Sequence, residues 1–156
     1  MVPLATLVHE ICADVAVPVI GSGGIMDGRD VAAVLRLGAA AVQLGTAFLP
    51  CPESGAPPIY KQALLDAARD ATVVTRAFSG RPARGLANAF IAMVADRERA
   101  ILPFRQQNDL TRAMRNEAGR QGIADFMSLW AGQGVARSRA MPAAELVKTL
   151  VEESLV

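Results

Sequence analysis

Two short apolar runs, residues 15–20 and 40–44, flank a segment whose apolar positions recur at helical spacing. The first run is rich in β-branched residues (Val15, Val17, Val19, Ile20) and has the length of a buried parallel strand; the second is a shorter example of the same pattern. Between them Asp27 can cap a helix and Asp30 stands three residues on, the spacing of a capping box. Val31, Val34 and Leu35 make its apolar stripe, and Gly38 suits the left-handed C′ position. The unit reads strand, helix, strand. Parallel strands require such a crossover and close it in the right-handed sense, so the loops after both strands should leave the same, carboxyl end of the sheet. Upstream, Leu4, Leu7, Val8, Ile11 and Val15 form a stripe at spacing near 3.6, which predicts a helix before the first strand.

After Leu49 the pattern changes. Pro50, Pro52, Gly55, Pro57 and Pro58 mark an irregular connection, and a helical pattern with Ala63, Leu64 and Ala67 follows over residues 59–69. Thr72, Val73, Val74 and Thr75 favour an extended segment. From Leu86 onward the periodicity is helical: residues 86–99 carry Phe90, Met93 and Val94 on one side, and Pro103 breaks the run. Residues 106–120 offer Leu110 and Met114 as anchors, and residues 123–130 pack Phe126 and Leu129. Pro142 opens a last helix with a stripe of Leu146, Val147, Leu150 and Val151, and Lys148 lies four residues before Glu152. The expected organisation is an α/β segment over residues 1–50, a linker helix, extended segment and loop over 51–85, and a mostly helical region over 86–156.

Composition narrows the function classes. With 52% hydrophobic and 20% charged residues and a net charge of +1, the chain carries neither a nucleic-acid footprint nor a disordered tail. No segment reaches the roughly 18 uninterrupted apolar residues that cross a bilayer, and the first residues lack a signal-peptide pattern. Cys12 and Cys51 stand in no metal-ligand spacing and read as reduced thiols, so the expected setting is the cytoplasm, with no metal and no membrane partner. The single histidine, His9, falls on the helix before the first strand beside Glu10 and Asp14, a solvated face and not a catalytic position.

The chemistry lies in two glycine loops about twenty residues apart, Gly21-Ser22-Gly23-Gly24-Ile25 and Gln43-Leu44-Gly45-Thr46. Glycine lets a backbone approach an anion and aim successive N–H groups into one concavity, and the helix that starts near Asp27 would add its positive end. Two loops at one rim then make a phosphate cradle, against the alternative of ordinary tight turns. Arg76, Arg81 and Arg84 gather near a Pro-Gly loop, where they either bind an anion such as a cofactor phosphate or substrate carboxylate, or are solvated or tied to backbone carbonyls; the second is the commoner use. Trp130 and Gln133 can set an indole wall and an amide donor beside a planar ligand, or simply pack.

The run Val17-Pro18-Val19-Ile20-Gly21-Ser22-Gly23-Gly24-Ile25-Met26-Asp27-Gly28-Arg29 is joined by Leu37-Gly38-Ala39 and Val42-Gln43-Leu44-Gly45-Thr46-Ala47-Phe48-Leu49. Together they resemble the nitronate monooxygenase family, formerly called 2-nitropropane dioxygenases. Thr75-Arg76-Ala77-Phe78-Ser79-Gly80-Arg81-Pro82-Ala83-Arg84-Gly85 and Leu129-Trp130-Ala131-Gly132-Gln133-Gly134 extend the likeness over nearly the whole chain. The resemblance implies an FMN-dependent (β/α)8 TIM barrel. At 156 residues, against about 250 for a typical barrel, the chain would be its C-terminal part, the last parallel strands followed by helices. By the same resemblance Ser22, Gly23, Gly24, Gln43, Gly45 and Thr46 would bind FMN, Trp130 and Gln133 would border the flavin or substrate, and the catalytic histidine would belong to an upstream portion. The implied reaction is oxidation of an alkyl nitronate by dioxygen to a carbonyl compound and nitrite. The alternatives are a flavin-dependent enoyl-acyl-carrier-protein reductase, which shares the glycine loops, and a non-catalytic flavin-binding or interaction remnant. The implied partners are the small-molecule nitronate and dioxygen, with a complementary barrel half or a second copy of the chain.

Overall fold

The computed structural model describes residues 2–155. The element order is α1 (Leu4–Asp14), β1 (Ile20–Ser22), α2 (Gly28–Arg36), β2 (Ala41–Gln43), α3 (Pro58–Leu65), β3 (Thr72–Thr75), β4 (Ala83–Leu86), α4 (Ala89–Val94), α5 (Gln106–Gln121) and α6 (Ala143–Ser154), with single 3-10 turns between several of them. The chain forms two compact units, one running through Gly55 and resuming at Arg137, the other Ala56–Ala136.

In the first unit β1 and β2 pair in parallel, Ile20 with Ala41, Gly21 with Val42 and Ser22 with Gln43. The Ala40 N–H extends the ladder by donating to the Val19 carbonyl at 2.8 Å. One face of this ladder is packed. Gly21 lies so close to the Val34 side chain that a Cβ would collide with it, which is how β1 comes to rest on α2. Val8, Ile25, Val34 and Ala39 make the core there, while Met26, Ala47, Cys51, Leu146 and Leu150 make a second cluster under α6. The other face is open: Val17 is 68% and Ile20 61% exposed. The expectation of a buried strand over residues 15–20 is thus corrected, because only three residues join the ladder and no element among those described covers their second face. Likewise only Leu146 and Leu150 of the α6 stripe are buried, whereas Val147 and Val151 are about half exposed.

The helix α2 begins and ends where local chemistry directs. Asp27 caps it by accepting the Asp30 N–H, and Gly38 after its last turn takes φ +101°. Gly28, at its first position, faces α6, where an added Cβ would strike the Leu150 carbonyl, the Glu153 Cβ and the Ser154 amide.

The second unit centres on an antiparallel pair, β3 with β4, in the register Thr72 with Leu86 through Thr75 with Ala83. Leu86 belongs to this strand and not to a helix; α4 starts later, capped by the Asn88 side chain. Residues 123–130 are also not one helix: a 3-10 turn over Ala124–Phe126 gives way to extended chain, in which the Leu129 carbonyl accepts the Leu86 N–H and Trp130 bridges Gly85. The helix α5 forms as its periodicity predicts, but Leu110 is 67% exposed. Its buried face is polar. Gln107 Nε2 donates to the Ala77 carbonyl at 2.7 Å and Thr111 Oγ1 to the Phe78 carbonyl at 2.7 Å, so each buried polar group has a partner.

Gly28→Ala tests the α2–α6 contact. Alanine is the better helix former, yet the collision should lower stability by about 1–3 kcal/mol. A urea midpoint that stayed unchanged or rose would reject this account of the packing.

Candidate functional site

The parallel register brings Ser22 and Gln43 side by side at the carboxyl ends of β1 and β2, and Ser22 Oγ donates to the Gln43 carbonyl at 3.1 Å. Both glycine loops therefore leave the sheet at one rim. In the first, Gly23 and Gly24 have φ of +126° and +72°, values that residues with a Cβ avoid. The chain then dives inward at Ile25 and Met26, both buried, before Asp27 opens α2. In the second, Gly45 leads into a 3-10 turn over Thr46–Phe48, closed by the Phe48 N–H on the Gly45 carbonyl at 3.0 Å and anchored by buried Ala47.

Gly45 is informative because the fold does not demand it. Its φ of −113° is open to any residue, and a Cβ there would meet no other part of the chain within 4 Å. A Cβ at Gly23 or Gly24 would likewise meet nothing within 4 Å. Three glycines that bare their backbone to space, on two loops at one rim, suit a group such as a phosphate that must approach main-chain amides closely.

The start of α2 behaves differently from the expectation that its positive end would face the ligand. Asp27 Oδ1 takes the Asp30 N–H at 2.9 Å, Asp30 Oδ2 takes the Met26 N–H at 2.8 Å, and Glu153 Oε2, from α6, takes the Gly28 N–H at 2.8 Å. Carboxylates of the chain itself occupy that end. Two arginines balance them. Arg137 Nη1 lies 2.9 Å from Asp27 Oδ2 and 2.8 Å from Asp30 Oδ2, and its Nη2 donates to the Gly24 carbonyl at 3.0 Å. Arg139 pairs with Glu153 at 2.7 Å and donates to the Met26 carbonyl at 3.0 Å. Burial acts to raise the Asp27 carboxyl, but the Asp30 N–H and the Arg137 charge outweigh it and hold the group below its ordinary range. The Arg139 hydrogen bonds and the Gly28 N–H lower Glu153 likewise. Motifs do not reveal Arg137, Arg139 and Glu153; the signal in the sequence is the acidic pair Asp27 and Asp30 beside the first glycine loop.

The remaining sequence candidates lie in other surroundings. His9 is exposed on α1. Trp130, in the second unit, stacks edge-on against Phe78 with centroids 5.8 Å apart, and its carbonyl accepts the Tyr60 hydroxyl at 2.6 Å. Burial pushes that phenol up to about 12. Gln133 is exposed in the turn that follows. Arg76 and Arg84 donate to the carbonyls of Gly80 and Thr72, while Arg81 lies over the Phe104 ring, its guanidinium carbon 4.4 Å from the centroid. For Arg76 and Arg84 the commoner use is the one observed.

A parallel strand pair joined by a crossover helix, with glycine loops at its carboxyl rim, defines an α/β protein. The nitronate monooxygenase profile matches residues 2–153, and the chain belongs to that family of flavin-dependent oxidoreductases. It is 47% identical to the nitronate monooxygenase of Pseudomonas aeruginosa over 94% of its own length and 42% of that protein's. It is 42% identical to the probable nitronate monooxygenase of Bacillus subtilis over 99% of its length and 45% of that protein's. Among solved structures, one described as a nitroalkane oxidase from Streptomyces ansochromogenes superimposes with a TM-score of 0.92 at 44% identity, covering 99% of this chain and 44% of that one. FabK from Thermotoga maritima superimposes with a TM-score of 0.85 at 32% identity, over 99% of this chain and 50% of that one. The chain thus spans half or less of the length of the proteins it matches, and lies in the carboxyl-terminal part of the nitronate monooxygenases.

The depressed carboxyls set an acid dependence. A carboxyl with a lowered folded value contributes stability that is complete above its unfolded value, about 4, and is lost as pH falls through the folded one. The unfolding temperature should therefore drop on acidification below about pH 4, and less steeply in Glu153→Gln, which has no such group to protonate. Parallel acid slopes for the two proteins would contradict the assignment.

Proposed function

We propose that the chain is the C-terminal part of a (β/α)8 TIM-barrel nitronate monooxygenase, and that its two glycine loops hold the phosphate of FMN. The observation that carries this reading is that Gly23, Gly24 and Gly45, each bordered by open space, lie on two loops that leave one rim of a parallel strand pair. Main-chain amides of Gly23, Gly24, Gly45 and Thr46 grip the phosphate, with the Thr46 hydroxyl assisting, and Ser22 fixes the spacing of the two loops through its bond to Gln43. The Gln43 side chain, exposed at the end of β2, offers its amide to the phosphate or ribityl chain. Bound FMN would supply the oxidation of an alkyl nitronate, with dioxygen as the final acceptor and a carbonyl compound and nitrite as products. By the family resemblance, Trp130 and Gln133 are assigned to the lining of the flavin or substrate pocket. No residue of this chain is assigned the proton transfer, which in this reading falls to a histidine on the upstream part of the barrel.

The open ladder face and an apolar groove of about 450 Å³, lined by Val42, Leu44 and Phe48 with Val147 and Val151 of α6, support association with a complementary barrel half or a second copy. A cytoplasmic setting accords with the thiol state of Cys12 and Cys51. Likeness to FabK favours a second reading within the same cradle, a flavin-dependent enoyl-acyl-carrier-protein reductase.

Flavin fluorescence quenching on mixing FMN with the chain tests the cradle. Gly24→Asp should abolish binding, since a carboxylate would take the anion's place. Gly45→Asp should do the same without backbone strain, because its φ suits any residue and its side chain would meet only open space. Undiminished FMN affinity in both variants would refute the site. Bleaching of bound flavin by a nicotinamide nucleotide in the absence of nitronate would favour the reductase instead.

A further inference from the structure

We infer that Arg137 is a positioning residue for phosphate recognition, setting both the orientation of the Gly24 peptide and the charge beside the cradle; the inference rests on the FMN reading above. A planar trans peptide points its carbonyl and the following N–H in opposite directions. By taking the Gly24 carbonyl on its Nη2, Arg137 therefore pins the peptide that directly follows the Gly23 and Gly24 amides and so holds the loop that presents them. Gly24, at φ +72° and without a Cβ, has little of its own to stop that peptide from turning over. The same guanidinium spans Asp27 and Asp30, whose charges stand within the turn that follows Gly24 and would repel a dianion. One planar fork does both tasks, which a lysine's point charge cannot.

The alternative is that Arg137 merely stabilises the fold. Its side chain is 46% exposed and those of Asp27 and Asp30 are 28% and 31% exposed, so screening leaves these ion pairs little weight in folding. Arg139 differs: with its side chain 25% exposed it links the Met26 carbonyl to Glu153 and so ties the start of α2 to α6, a structural task.

The discriminating measurement compares FMN with riboflavin, which lacks the phosphate, on the chain and its variants, with thermal unfolding followed in parallel. Arg137→Ala should cut the preference for FMN over riboflavin by roughly tenfold or more while riboflavin affinity and unfolding temperature hold. Arg137→Lys should restore part of that preference, since it returns the charge without the fork, and it carries the test if the alanine variant does not fold. A wild-type preference in Arg137→Ala, with Gly24→Asp still unable to bind FMN, overturns the positioning role and leaves the cradle standing. Absence of any FMN preference in the unaltered chain overturns the cradle and this inference together.

Discussion

Parallel pairing of Ile20–Ser22 with Ala41–Gln43 is the constraint from which the rim of this protein follows. Adjacent parallel strands cannot be joined by a tight turn, so the chain must climb back through α2, and both strands then end on the same side. Everything proposed for the glycine loops depends on that shared direction. The pairing in turn depends on Gly21, whose missing side chain lets the ladder settle onto Val34, and on the buried Val8, Ile25 and Ala39 around it. Local capping, helix packing and strand register are mutually consistent here, although each arises from different residues.

Charge at the beginning of α2 is arranged as a closed account of its own. Three carboxylates, Asp27, Asp30 and Glu153, satisfy amides around the first turn, and two arginines from the segment that leads to α6 satisfy the carboxylates while reaching the carbonyls of Gly24 and Met26. Carboxylates thus occupy the Gly28 and Asp30 amides at the helix end, and in the proposed reading recognition of an anion falls to loop amides. A site of that kind is set by backbone geometry more than by formal charge, in keeping with a net charge of only +1 for the whole chain.

Features encoded within a few residues were legible before any coordinates. The Asp27 cap, the C′ glycine at Gly38 and the crossover between two apolar runs are short-range devices, and they stand where the pattern places them. Features that depend on distant partners were not. The strand β4 reads Ala-Arg-Gly-Leu, with no alternation to mark it, and exists because β3 and the extended chain at Leu129 flank it. The buried face of α5 is polar since Gln107 and Thr111 answer the carbonyls of Ala77 and Phe78, so a rule that seeks apolar stripes selected the exposed Leu110 instead. At the site, the glycines announced themselves by spacing, whereas Arg137 and Arg139 lie more than a hundred residues along the chain from the carbonyls they hold.

The two-stranded ladder of the first unit has a further consequence for how strands can add to it. Among the described residues β1 and β2 pair only with each other, so each presents an outer row of unmatched backbone groups, beside the bare side chains of Val17 and Ile20. Addition of a strand to one side leaves the opposite side as available as before. Growth by such steps is head-to-tail and ends only when curvature brings the first strand round to the last, as happens when a barrel closes.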